Sequence, residues 1–152
     1  MKQDKDLTIS LMTLVSLLRD TDRCNESVMN KIISSPACRR FQSMRQQTAF
    51  DTQVKAGAWI DAAITLVTIA LPTWTIRRIV RDDGLWLCSL SRHIELPIEF
   101  DDTAEGFHHD LALAILSAFV QARLSPDAGA SPVATPKLRP DEHDFVCCEN
   151  FV

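Results

Sequence analysis

The sequence lacks the short motifs that mark the commonest catalytic and nucleotide-binding sites. Its 152 residues contain no glycine-rich phosphate loop, no Walker sequence, no G-x-S-x-G elbow and no H-E-x-x-H helix. These motifs place phosphate-binding amides, a nucleophile or two metal ligands at a fixed spacing. Their absence means that no motif supports phosphate binding, nucleophilic catalysis or a metalloprotease site. No cofactor is expected, and we favour a protein that is not an enzyme.

Paired cysteines of the metal-binding or redox type are also missing. The five cysteines, at positions 24, 38, 88, 147 and 148, form no C-x-x-C pair. Their odd number leaves at least one thiol outside any set of intrachain disulfides. This usage is typical of a reducing compartment, where thiols stay free.

Long apolar runs and an excess of positive charge are absent as well. The apolar run at residues 7–18 is shorter than the roughly 20 residues of a membrane-spanning helix, and its leader is charge-balanced. We therefore expect a cytoplasmic protein without a membrane partner. The net charge of −4 argues against general nucleic-acid binding, which usually needs a basic surface.

The strongest pattern present is a β-hairpin at residues 71–92. Pro72 should end an upstream helix, and Asp82-Asp83-Gly84 supplies a tight turn. Strict alternation predicts two faces for the first strand: Trp74, Ile76, Arg78 and Val80 on one, and Thr75, Arg77, Ile79 and Arg81 on the other. The return strand adds Trp86, Cys88 and Leu90 to the first face. Because an isolated hairpin is marginal in water, flanking segments are expected to cover this tryptophan-bearing face.

Helices are predicted on both sides of the hairpin. Residues 52–70 have a wide apolar side, and residues 102–124 begin with a sequence that resembles a capping box at Asp102. Small residues in the second helix would permit close approach to a neighbour. Between hairpin and helix, residues 93–101 alternate around Pro97, which allows a short third edge strand.

Residues 1–50 differ from the middle of the chain. The spacing of leucines predicts a helix at residues 7–19, and Asn25 is placed to cap a second helix at residues 26–33. We expect residues 1–50 to be a loosely attached helical extension, residues 51–124 to be an α+β core domain, and residues 125–152 to be a flexible tail rich in Pro, Ala, Gly and Ser. Because two or three strands make a thin core, a homodimer is expected.

Three segments resemble a family of small, uncharacterised bacterial proteins. They are GAWIDAA, LPTWTIRRIVRDDGLWLCSLSR and DDTAEGFHHDLALAILSAFVQAR, which together fall within residues 57–123. The resemblance implies no established activity or ligand, so it transfers no catalytic residue to this chain.

Two residue sets are candidates for a site. Arg77, Arg78 and Arg81 could dock an acidic partner or a phosphate backbone, although a solvated face paired with nearby carboxylates is the simpler explanation. His143, Cys147 and Cys148 could contribute to a zinc site, but their spacing matches no known finger. A further pairing of Cys88 with His93 has no third orienting group, and Cys88 fits a buried small residue better.

These observations favour a small non-enzymatic protein that acts through protein–protein contact, as a homodimer and with a further protein partner still to be identified. One alternative is a small metal-binding protein or enzyme that uses Cys and His residues. A second alternative is a nucleic-acid-binding regulator that uses the face carrying Arg77 and Arg81.

Overall fold

The computed structural model describes residues 2–36 and 44–125 and confirms an α+β fold. Within these residues five helices accompany one antiparallel sheet of three strands, in the order β1-β2-β3. The elements are α1 (Lys2–Asp20), α2 (Glu26–Ser34), α3 (Met44–Lys55), α4 (Trp59–Ala70), β1 (Thr75–Asp82), β2 (Leu85–Ser91), β3 (Thr103–His108) and α5 (Leu111–Leu124).

Both predicted N-terminal helices are present, although α1 begins five residues before the predicted start at residue 7. The side chain of Asn25 accepts a hydrogen bond from the Val28 amide at 3.0 Å, so it caps α2 as expected. Leu11, Leu14 and Leu18 of α1 are buried in the same core as α5, against which α1 packs. The predicted boundary at residue 50 lies within α3. How loosely residues 1–50 are attached stays a prediction, and the predicted tail lies almost entirely outside the described residues.

The predicted single helix at residues 52–70 is wrong, because the chain breaks at Gly57. Gly57 has φ +70°, and its amide and that of Ala58 donate to the carbonyl oxygens of Val54 and Gln53. This pair of bonds is a Schellman motif, which ends a helix with a left-handed residue that is usually glycine. α3 therefore stops at Lys55 and α4 starts at Trp59.

The predicted hairpin and its turn are confirmed. Asp82 pairs with Leu85, and between them Asp83 and Gly84 both have positive φ, 49° and 82°. Two central residues with positive φ define the turn whose twist matches that of the flanking strands.

The predicted faces of the first strand are wrong beyond Ile76, because β1 contains a bulge. Ile76 pairs with Leu90 but Arg78 pairs with Ser89, so Arg77 is an extra residue. The extra residue reverses the alternation, so Ile79 and Arg81 share a face with Cys88 and Trp86. Arg78 and Val80 lie on the opposite face.

The third strand exists but lies later in the chain than predicted. Residues 93–101 form turns and a short 3₁₀ helix at Ile98–Phe100, whereas β3 spans Thr103–His108, inside the predicted second helix. The expected cap at Asp102 is wrong: Asp110 caps α5, accepting from the Leu113 amide at 3.3 Å. Pairing of β3 with β2 gives the central strand hydrogen-bonding partners along both edges.

Helix α5 is the centre of the core. It packs on β2 and β3 and is flanked by α1 and α4, so nine of its fourteen residues are buried. The expected helical cover of the tryptophan-bearing face is confirmed for α5, and Trp86 is partly buried against the core. Trp74 is 6% exposed and lies beneath the Arg92 guanidinium. We call the sheet face against α5 the inner face and the opposite one the outer face.

Candidate functional site: the outer face of the sheet

Around Cys88 and Gly106 the inner face is closed by close contact between β3 and α5. A β-carbon on Gly106 would lie 2.3 Å from both the Ala114 carbonyl oxygen and the Ala118 nitrogen. The predicted role of small helix residues is thereby confirmed, since they admit β3. Cys88, paired with Gly106, is fully buried, and burial raises the pKa of its thiol to about 11. Such a thiol is protonated at neutral pH and is a poor nucleophile.

The outer face carries an apolar row that runs across all three strands. Val80 pairs with Leu87, and Leu87 pairs with Phe107, so the three side chains lie side by side. Val80 is 42% exposed and Phe107 is 59% exposed, whereas Leu87 between them is half-buried. Leu85 beside the turn is 38% exposed. We call Val80, Leu87 and Phe107 the apolar row. An exposed row of this kind costs hydration free energy that contact with another apolar surface would recover.

A charged pair flanks the apolar row on the side away from the turn. Arg78 and Glu105 lie on either side of Ser89, with 3.7 Å between Arg78 Nη2 and Glu105 Oε1. Both side chains remain about 40% exposed, so the pair is weak within one chain and accessible from outside. Level with Ser89 the outer face therefore presents a positive and a negative group at opposite edges of the same sheet, and Asp82 adds a second carboxylate on the turn side of the apolar row.

The end of the outer face beyond Ser89 is held by a buried carboxylate. Asp101 accepts hydrogen bonds from Ser91 Oγ, from the His93 amide at 2.9 Å and from Arg77 Nη1 at 2.7 Å. Burial alone would raise the pKa of the Asp101 carboxyl, but the hydrogen bonds from Ser91, His93 and Arg77, with the charge of Arg77, hold it below its ordinary value. Arg77 also donates to the Leu96 carbonyl oxygen at 2.8 Å.

These bonds hold a loop that exposes several apolar side chains. We call residues 92–102 the clamped loop. Its aliphatic and aromatic side chains are 37–76% exposed, and they are Ile94, Leu96, Ile98 and Phe100. The clamped loop thus extends the exposed apolar surface beyond the end of the strands.

The structure separates the three predicted binding arginines. Arg77 is 17% exposed and engaged by Asp101, whereas Arg81 lies 5.5 Å from the centre of the Trp86 ring on the inner face. Only Arg78 stands on the accessible outer face, beside Glu105. The predicted common face of Arg77 and Arg81 is wrong because of the bulge. Partner binding by the three arginines stays a prediction.

The predicted metal ligands cannot be placed. His143, Cys147 and Cys148 lie outside the described residues. Within residues 2–36 and 44–125, no three His, Cys, Asp or Glu side chains are grouped so as to hold a metal ion. His93 Nδ1 lies 3.4 Å from Glu95 Oε1 in the clamped loop. Cys88 is buried, as the sequence favours, and its alternative pairing with His93 gains no support.

A groove lies between α1 and α2. This groove of about 890 Å³ has Leu14 and Leu17 among its apolar lining, and Ser10 and Ser35 are hydrogen-bonded across it at 3.1 Å. The other lining groups, including Asn30, are mostly short polar side chains. Nothing in this lining selects one ligand chemistry.

Sequence reasoning missed the third strand of the site, because Glu105 and Phe107 lie in a segment predicted to be helical. The alternation of Thr103, Glu105 and Phe107 with small residues, together with Gly106, was the available indication of a strand.

Comparison with protein-family models, with curated proteins and with solved structures found no match. The resemblance of residues 57–123 to small bacterial proteins therefore stays a prediction. Among the helices that the structure describes, none has the length and apolar character needed to cross a membrane.

Proposed function

We propose that the protein is a small non-enzymatic protein–protein interaction module that acts as a homodimer through its outer sheet face. The observation that carries the proposal is the apolar row, which three strands present to solvent beside an exposed pair of opposite charges. An antiparallel sheet with a solvated face normally alternates apolar-in and polar-out, and Val80, Leu87 and Phe107 depart from that pattern.

A second copy is the partner that the charges support. The outer face carries Arg78 and Glu105 together, so it complements itself, as a twofold interface requires. A partner of one charge sign would match only one of the two groups.

The size of the face sets the expected affinity. Three strands about 4.8 Å apart and about seven residues long present roughly 300 Å² in projection. Standard interfaces bury about 800 Å² on each partner, so the clamped loop must contribute for the dimer to reach that size. We expect a dissociation constant on the order of micromolar.

Sedimentation equilibrium tests the proposal. The wild-type chain should shift from monomer towards dimer mass between about 1 and 500 µM, the range set by the expected affinity. Phe107→Ser should weaken association at least about tenfold, since it removes an exposed aromatic anchor. Ile9→Ser, at a residue of α1 that is 65% exposed, is the matched control and should leave association unchanged. Equal weakening by both substitutions would show that the outer face is not the dimer interface.

The two alternatives have no such observation in their favour. The described cysteines, Cys24 and Cys88, are buried, and the arginines are dispersed or paired. Metal analysis of the unstripped protein tests the Cys/His alternative, and salt-dependent retention on DNA tests the nucleic-acid alternative. A cytoplasmic location stays a prediction.

A further inference from the structure

Resting on the proposed homodimer, we infer that its twofold axis runs along β2, so that β1 of each copy faces β3 of the other. In this arrangement Arg78 of each copy pairs with Glu105 of the partner subunit. The inference assigns the geometry of the interface and the residues that determine its specificity.

Two sheets that pack face to face with aligned strands can be related by a twofold axis in only two directions. The axis lies in the interface plane, and it runs either along the strands or across them. An axis along β2 places β1 of one copy opposite β3 of the other. Residues at one level along the strands then face residues at the same level in the other copy. An axis across the strands keeps β1 opposite β1 and reverses the order of the rows.

The axis along β2 matches residues by size and by charge. Val80 meets Phe107 of the partner subunit, so the smallest side chain of the apolar row faces the largest. Leu87 meets its own copy on the axis. Arg78 meets Glu105 of the partner subunit twice, which replaces one weak exposed pair in each chain with a four-charge cluster at the interface.

The same axis brings apolar ends together. Both clamped loops lie at one end of the dimer, where Leu96 and Phe100 of the two copies contribute to a single apolar surface. An axis across the strands, centred on the apolar row, instead places each clamped loop over the turn at Asp82 and Asp83 of the partner subunit. It also sets Phe107 against its own copy.

The two axes pair Arg78 with different carboxylates, so an experiment on these charges can distinguish one axis from the other. Along β2 the partner of Arg78 is Glu105, and across the strands it is Asp82, two residues beyond Val80 on β1. Charge reversal should therefore produce a heterodimer from one pair of variants and not from the other.

The experiment mixes charge-reversed variants and measures association by native mass spectrometry, which resolves the species because the variants differ in mass. Arg78→Glu and Glu105→Arg should each weaken homodimerisation about tenfold, from two repelling contacts in each dimer. Their equimolar mixture should form a heterodimer at least as stable as the wild-type dimer. The double variant Arg78→Glu/Glu105→Arg should regain homodimerisation, and its thermal melt reports whether the chain still folds.

Each result decides a different point. A heterodimer of Arg78→Glu with Asp82→Arg, and none with Glu105→Arg, would overturn the axis along β2 while leaving the homodimer intact. A wild-type dimer that is unaffected by any of the three reversals would also overturn the axis. A wild-type chain that stays monomeric up to about 500 µM would instead overturn the proposed function itself.

Discussion

Gly106 of β3 lies so close to Ala114 of α5 that a β-carbon on it would stand 2.3 Å from the Ala114 carbonyl oxygen. This contact positions β3 against the helix and aligns Phe107 and Glu105, its neighbours in sequence, on the outer face. The outer face therefore depends on one glycine that itself lies on the inner face.

Gly106→Ala should destabilise the fold by about 3 kcal/mol, because the added methyl group meets backbone atoms that cannot move aside cheaply. Gly84→Ala is the control: nothing lies within 4 Å of its β-carbon position, so only the cost of a positive φ, about 1 kcal/mol, applies. Urea denaturation gives both values. Equal stability losses in the two variants would show that β3 does not approach α5 as closely as described.

Stability should fall at acid pH as the Asp101 carboxylate is protonated. Its pKa is lower in the folded chain than in the unfolded one, so its contribution is complete above the unfolded value near 4. That contribution is lost as the pH falls through the lower, folded value.

Asp101→Asn should lower stability at pH 7 by about 1–3 kcal/mol, since Ser91, His93 and Arg77 lose a charged acceptor. The difference from wild type should shrink below about pH 4, where the wild-type carboxyl is also neutral. Thermal melts between pH 2 and pH 7 measure this, with the exposed neighbour Asp102→Asn as the control. A difference that is independent of pH would contradict the assigned role of the carboxylate.

The two described thiols should resist alkylation in the folded protein. Burial raises the pKa of Cys88 to about 11, and burial with the nearby Asp110 charge raises that of Cys24 to about 12. At pH 8 the thiolate fraction of each cysteine should be lower than in the unfolded chain by a factor on the order of a hundred or more. The alkylation rate should fall with it, because the thiolate is the reacting form. Iodoacetamide labelling with peptide mapping, native and in guanidinium, tests this. Rapid native labelling of Cys88 would contradict its burial.

Limited proteolysis tests how residues 1–50 are attached. Because Leu14 and Leu18 are buried against the core, we expect tryptic cleavage after Arg19 and Lys31 to be slow, at the rate of global unfolding. Rapid removal of α1 and α2 from an otherwise resistant domain would instead support the loosely attached extension that the sequence suggests.

The hairpin could be predicted because its determinants are local. Asp83 and Gly84 adopt the positive φ that their residue types permit, and Pro72 follows the end of α4. Asn25 likewise caps α2 through its own side chain. In each case residues within a few positions of one another determine the backbone conformation.

The bulge in β1 and the third strand depend instead on contacts between segments that are distant in sequence. The bulge at Arg77 is accompanied by bonds to Leu96 and Asp101, some twenty residues away, and no alternation within β1 could reveal it. Residues 102–105 resemble a helix cap, which predicts a helix where β3 forms. Pairing with β2 and contact with α5 outweigh that local preference.

Hydroxyl-radical labelling of Phe107 as a function of protein concentration tests the central claim most directly. If a second copy covers the outer face, the oxidation rate of Phe107 should fall as the concentration rises through the dissociation constant, while that of Ile9 stays constant. A Phe107 oxidation rate that is the same at every concentration, in step with Ile9, would contradict self-association through this face.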